Sequence, residues 1–119
     1  MSALVTIKEN NIFRRLYKSK KCYVYPQIVV YVAKNNLGIF RYGITVSKKV
    51  GGAVVRTRCR RVIRSALYTY ADQLTDAYNG ESGKRGFDVV IVARRKTAFI
   101  KSTELVQPIF DAFSKAGIL

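Results

Sequence analysis

Seven cations, Lys48, Lys49, Arg56, Arg58, Arg60, Arg61 and Arg64, fall within the eighteen positions 47–64, and no carboxylate stands among them. Groups of this kind at this density bind phosphate: the arginine fork matches two phosphate oxygens, and lysine supplies a compact point charge. The rest of the inventory does not suit bond cleavage by side chains. The chain has no His, and its acids, Glu9, Asp72, Asp76, Glu81, Asp88, Glu104 and Asp111, are scattered. A protein nuclease needs gathered carboxylates for a metal or a His for proton transfer. No catalytic residue and no metal site are therefore expected, and Asp72 with Asp76 reads as a solvated helix end. Cys22 and Cys59 have no His to join them in a zinc cluster. They read as small core residues in a reducing cytosol, with a disulfide between them as the alternative.

The whole chain must serve this basic segment. At 119 residues and 49% apolar composition there is room for one domain, 1–119, around one modest core. Twenty-two Lys and Arg against seven Asp and Glu leave a net charge of +15. Between Glu9 and Asp72 there is no acid, while fourteen Lys or Arg occur. Such an excess repels itself in the folded state, so it points to a polyanionic partner, nucleic acid first and an anionic membrane surface second. The longest uncharged apolar-rich run, CYVYPQIVVYVA, has twelve residues and contains Pro26, too short to span a bilayer. The opening MSALVTIKENNIF lacks a basic region followed by an apolar one, so a cytoplasmic location is expected.

The elements read in the order α, two or three β, α, β, α. NNIFRRLYK predicts a first helix capped by Asn10 or Asn11, with Ile12, Phe13, Leu16 and Tyr17 at helical spacing and Lys18, Lys20 and Lys21 closing it. Positions 22–47 alternate β-branched and aromatic residues around a turn at NNLG. One face carries Ile28, Val30, Val32, Tyr42, Ile44 and Val46. The other, with Val29, Tyr31, Ala33, Gly43, Thr45 and Ser47, is expected to be accessible. FDVVIVAR predicts a strand buried on both faces. STELVQPIFDAFSKAG predicts a last helix capped by Ser102 or Thr103, bent at Pro108 and stopped by Gly117.

The basic segment itself predicts a helix from about Ala53 to Tyr70, followed by an acidic and polar connection. At about 100° per residue, Val55, Cys59, Val62, Ile63, Ala66 and Tyr70 share one arc of about 100°, the width of a core-facing stripe. Arg56, Arg60 and Arg64 ladder one edge, Arg61 points away from the core, and Arg58 flanks the other edge. A face meant only for solubility would mix in Glu. Like charges at i, i+4 cost roughly 0.2–0.5 kcal/mol per pair, and cations in the first turn oppose the helix dipole by roughly 0.3–1 kcal/mol. A bound phosphate backbone reverses both signs.

SKKVGGAVVRTRCRRVIRSAL resembles the signature of the bacterial ribonuclease P protein subunit, in which Ser-Lys-Lys, a Gly, Ala-Val and an Arg-Asn-Arg-x-x-Arg-Arg-type helix follow one another. The resemblance extends to the first helix with Phe13 and Tyr17, to IVVYV, to YGITVSKK and to GFDVVIVAR. Two positions depart from it: Thr57 stands where the family has Asn, and Gly52 where an Asn is common. A Thr hydroxyl still reaches a phosphate or 2′-OH but lacks the second group of an amide.

The resemblance implies a small α+β two-layer sandwich of ribosomal-protein-like fold, α-β-β-β-α-β-α, with a mixed four-stranded sheet. It also implies a left-handed β-α-β crossover, where general chirality rules favour a right-handed one. It implies, further, a subunit without catalytic residues of its own, partnered with a catalytic RNA, in the magnesium-dependent endonucleolytic removal of the 5′ leader from precursor tRNA. Lys48, Lys49, Arg56, Thr57, Arg58, Arg60, Arg61 and Arg64 would contact RNA. Phe13, Tyr17 and Tyr31 would line a cleft for the leader, where unpaired bases stack on aromatic rings; a purely core role is the competing account, strongest for Phe13. Another small RNA-binding protein, such as a ribosomal protein, is the alternative function. A helix-turn-helix DNA reader fits poorly, because no helix precedes the arginine helix at the required spacing, and a membrane-surface helix fits worse, because the narrow apolar face of the arginine helix is needed by the strands; neither DNA nor membrane is an expected partner.

Overall fold

The computed structural model describes residues 3–19, 21–81, 83 and 85–119. Its sheet has five strands in the order β1-β4-β5-β3-β2. These are β1 (Val5–Thr6), β2 (Cys22–Val24), β3 (Ile28–Asn35), β4 (Phe40–Thr45) and β5 (Gly86–Ala93). The helices are α1 (Asn10–Tyr17), α2 (Ala53–Tyr68), α3 (Ala71–Ala77) and α4 (Thr103–Ala116), with a short 3₁₀ helix over Arg95–Phe99. Two elements were not expected, the two-residue edge strand β1 and the helix α3.

The alternating pattern of β3 and β4 does what it promises, although the two strands are not neighbours. Strand β5 lies between them, antiparallel to β3 and parallel to β4, so that Val30, Ile91 and Ile44 line up across the sheet. Ile28, Val30, Val32, Val89 and Ile91 have no exposure and meet Ile63, Leu67, Leu105, Ile109 and Phe113 from the helical layer. The unit β4-α2-α3-β5 thus joins adjacent parallel strands and lays its arginine helix across the main core. Burying one such aliphatic side chain contributes about 1.5–3 kcal/mol.

The opposite face is less open than its small residues suggest. Helix α1 lies on it, burying Leu16 and Val90 completely, with Ile12, Phe13 and Tyr31 partly buried around them. This is why β5 is apolar on both sides. The cap of α1 also differs from expectation. Glu9, in extended conformation, is the N-cap and makes no side-chain cap bond, and Asn10 and Asn11 are already helical. Lys18 ends the helix and Lys21 is exposed, whereas Lys20 lies outside the described residues.

The expected stripe of α2 holds from Cys59 to Ala66 and then continues through Leu67, which is fully buried, while Val55 is only partly covered. The helix ends at Tyr68, and Tyr70, beyond it, donates its hydroxyl to the Val106 carbonyl at 2.9 Å. Ala71 and Leu74 extend the same apolar spacing into α3; Asp72 and Asp76 beside them had disguised it as a connection. Helix α4 stops at Gly117 as expected, in the left-handed conformation with φ 79. Ser102 precedes it without a side-chain cap, and the Glu104 carboxylate accepts the Lys101 N–H at 2.8 Å instead.

The cysteines divide. Both are free thiols; Cys59 is buried, but Cys22 is exposed on the edge strand β2, opposite Tyr31, which corrects the reading of both as core. Burial pushes the Cys59 thiol pKa up. In the folded protein, Cys22 should react readily with a bulky thiol reagent while Cys59 reacts only on unfolding. Cys59→Ser should lower stability by about 1–3 kcal/mol, because a buried hydroxyl replaces an apolar sulfur. Equal labelling rates for the two thiols would contradict this placement.

Candidate nucleic-acid interface

Helix α2 leaves the main core with its cations outward. Thr57, Arg61 and Arg64 are exposed, Arg56 and Arg60 are half-buried along one edge, and Lys48 and Lys49 are exposed in the turn before the helix. The first turn holds no acid, and Gly52 caps it without a side chain. Arg58 behaves differently from its neighbours. Its Nη1 donates to the Ala98 carbonyl and its Nη2 to the Ile100 carbonyl, each at 3.0 Å, so it fastens the segment after β5 rather than facing outward. The Nε of Arg56 is buried with no hydrogen-bond partner among the described residues.

Phe13, Tyr17 and Tyr31 come together at the joint between α1 and the sheet. The Phe13 ring lies over Gly43 so closely that a Cβ there would sit 2.6 Å from it. One turn later the Tyr17 hydroxyl shares a 2.7 Å hydrogen bond with Thr45 Oγ1. Tyr17 meets the Tyr31 ring edge-on, with centroids 5.2 Å apart at 85°. Tyr17 is 41% exposed, whereas Phe13 and Tyr31 are partly buried against Leu16 and Val90. Burial and the neighbouring Cys22 raise the Tyr31 pKa. Tyr17 is therefore the ring most open to a ligand, Tyr31 supports it, and Phe13 serves the small core and the cleft together.

A groove of about 370 Å³ runs between Phe13 and Tyr17 on one side and Ile44, Thr45 and Arg60 on the other. A smaller space of about 180 Å³ continues it along Phe13, Tyr42 and Gly43 to Arg60 and Arg64. Strand β1 pairs with β4 at Arg41 and Tyr42, and among the described residues the outer edge of β4 beyond Tyr42 has no partner strand. The groove follows that edge and brings the aromatic cleft and the arginine ladder into one surface. The sequence had placed them in two separate sites.

One residue that holds this arrangement escaped the sequence reading. Asp88, in the middle of the sheet, is fully buried. It accepts hydrogen bonds from Arg41 Nε and Nη2, each at 2.8 Å, from Arg15 Nη2 at 2.6 Å and from Asn35 Nδ2 at 2.8 Å. The bond to Asp88 raises the Arg41 pKa further. The available signal was a lone Asp in an otherwise apolar strand, which needs a buried cationic partner. Among the described residues, no three His, Cys, Asp or Glu gather where they could hold a metal ion, and no helix is long and apolar enough to cross a membrane.

The Ribonuclease P family model matches residues 1–117. A ribonuclease P protein component from Clostridium botulinum (strain Langeland) is 33% identical over 112 residues, covering 94% of each chain. One from Alkaliphilus oremlandii is 29% identical over 119 residues, covering 100% of this chain and 96% of its own. The solved RNase P protein of Staphylococcus aureus superposes with a TM-score of 0.75 at 27% identity, covering 98% of both chains. That of Thermotoga maritima has a TM-score of 0.71 at 20% identity, covering 92% of this chain and 96% of its own, a likeness of fold.

Removing the Asp88 carboxylate leaves Arg41 and Arg15 without their buried anion. Asp88→Ala should destabilise the protein by about 3–5 kcal/mol in denaturant unfolding, whereas Glu104→Ala, at an exposed helix start, should cost far less. Similar losses for the two would place the Asp88 network outside the determinants of stability.

Proposed function

This chain belongs to the ribonuclease P protein family, and from that premise we propose that the groove between α1 and α2 holds the unpaired 5′ leader of precursor tRNA. The chain is the protein subunit of the ribonuclease P ribonucleoprotein, with the ribonuclease P RNA as its partner in an endoribonuclease holoenzyme. The ribosomal-protein alternative is not favoured, since the family model and the relatives above are all ribonuclease P proteins.

The observation that carries the leader assignment is that Arg60 lines the groove together with Phe13 and Tyr17, and that Arg60 and Arg64 line its continuation along Phe13. A single strand needs two things at once, rings for its bases and cations for its backbone. Mature tRNA offers no unpaired 5′ strand to the rings, so stacking in the groove favours the precursor where charge alone would attract both. Lys48, Lys49, Arg56, Thr57 and Arg61 do not line that groove and take the phosphates and 2′-hydroxyls of the catalytic RNA. Arg58 is withdrawn from that set because its guanidinium is turned to the Ala98 and Ile100 carbonyls, which take one donor from each Nη. The chain supplies binding and orientation. The magnesium ions of the reaction belong, on this reading, to the RNA, since the acids of the chain do not gather to hold them. The compartment is the cytoplasm, where free thiols such as Cys22 stay reduced.

Tyr17→Ala in the reconstituted holoenzyme should weaken precursor tRNA binding by about 1–3 kcal/mol and leave mature tRNA binding almost unchanged. An equal loss for both RNAs would remove the leader from this groove. Lys49→Ala combined with Arg61→Ala should flatten the salt dependence of assembly with the catalytic RNA by roughly 0.7–0.9 in log K per lost phosphate contact for each tenfold rise in salt. An unchanged slope would put that RNA on another face.

A further inference from the structure

The segment that Arg58 fastens carries an aromatic ring that no part of the site above uses. Phe99 lies between the two carbonyls that Arg58 holds, and it is 86% exposed. A 3₁₀ helix repeats every three residues or so. Thr97 and Ile100 accordingly share the inward side and are buried, while Lys96 and Phe99 share the outward side and are exposed. One turn before Arg58 on α2 stands Val54, 85% exposed, on a groove of about 430 Å³ that Arg58 and Arg61 also line.

Single exposed apolar residues are ordinary on protein surfaces. This one differs in its support and its surroundings. The guanidinium fork of Arg58 fixes the backbone on both sides of Phe99, so the ring is held outward on a braced segment. Around it in sequence stand the exposed cations Arg95, Lys96 and Lys101, and Arg61 rims the groove. A ring among cations matches a nucleotide, whose base offers a π-face and whose phosphate offers charge. A second copy of this chain would bring another +15 against the same cations.

We propose that Phe99 is a stacking platform for one unpaired nucleotide of the ribonuclease P RNA, and that Arg58 is the positioning residue that presents it. The RNA contact would then continue from the outer face of α2 past its N-terminal turn onto the 3₁₀ segment. This rests on the chain's place as partner of that RNA, and not on the leader groove.

The chain contains no Trp, so Phe99→Trp introduces a single fluorescent reporter at an exposed position. Titrating this variant with ribonuclease P RNA should quench the tryptophan emission, with saturation at the RNA concentration that completes assembly. Phe99→Ala should weaken assembly by about 5- to 150-fold while leaving both its salt slope and the melting temperature of the free protein unchanged. Assembly that saturates with unaltered emission, together with wild-type affinity for Phe99→Ala, would overturn the platform. So would quenching that follows protein concentration in the absence of RNA, which would make this face a contact between copies. The titration contains no precursor tRNA, so a failed leader groove would leave the quench intact. A missing quench beside intact leader discrimination would overturn the platform alone.

Discussion

The carboxylate of Asp88 is shut away from water and receives hydrogen bonds from three elements: Arg15 of α1, Arg41 of β4 and Asn35 of β3. Burying an isolated carboxylate costs several kcal/mol, and only partners of good geometry offset it. Here Arg41 binds both oxygens in a fork, and Arg15 and Asn35 take the remaining lone pairs. An apolar side chain at this position could match the stability without fixing where α1 sits. With eight residues, α1 is too short to hold its own conformation in water. It stays in place through Leu16, packed against Val90, and through Arg15, bonded to Asp88. The position of Phe13 and Tyr17, and with it one wall of the groove, follows from that anchorage.

The other wall is electrostatic. Helix α2 concentrates like charge at spacings that oppose an isolated helix, and its packing against the sheet through Cys59, Val62, Ile63, Ala66 and Leu67 overcomes that cost. The fold thus holds a row of cations that would not form this arrangement unaided. It sets them beside the open edge of β4, across from the rings of α1. Neither wall alone distinguishes an unpaired RNA strand from other polyanions; together they present the two chemistries such a strand needs.

Much of this was legible in the residues. The alternation of Ile28, Val30 and Val32, the apolar stripe of α2 and the Gly117 stop depend on local periodicity and turn chemistry, and the structure follows them. What was not legible is non-local. The insertion of β5 between β3 and β4 is a choice of strand partner that no local pattern encodes. Helix α3 was hidden because its acids read as loop while Ala71 and Leu74 silently continued the apolar spacing. Cys22 looked like Cys59 until β2 proved to be an edge. Arg58 looked like its neighbours, and only the position of the Ala98 and Ile100 carbonyls separates it from them. The joining of cleft and arginine ladder into one groove required knowing that β1 is too short to cover the edge of β4.

The most direct test of the account is the affinity of the holoenzyme for a series of precursor tRNAs whose leader is shortened one nucleotide at a time to none. If the groove holds the leader by stacking and backbone contacts, affinity falls stepwise over the nucleotides nearest the cleavage site and reaches the mature tRNA value when they are gone. Affinity that does not change along the series, with the protein present and assembled, would contradict it.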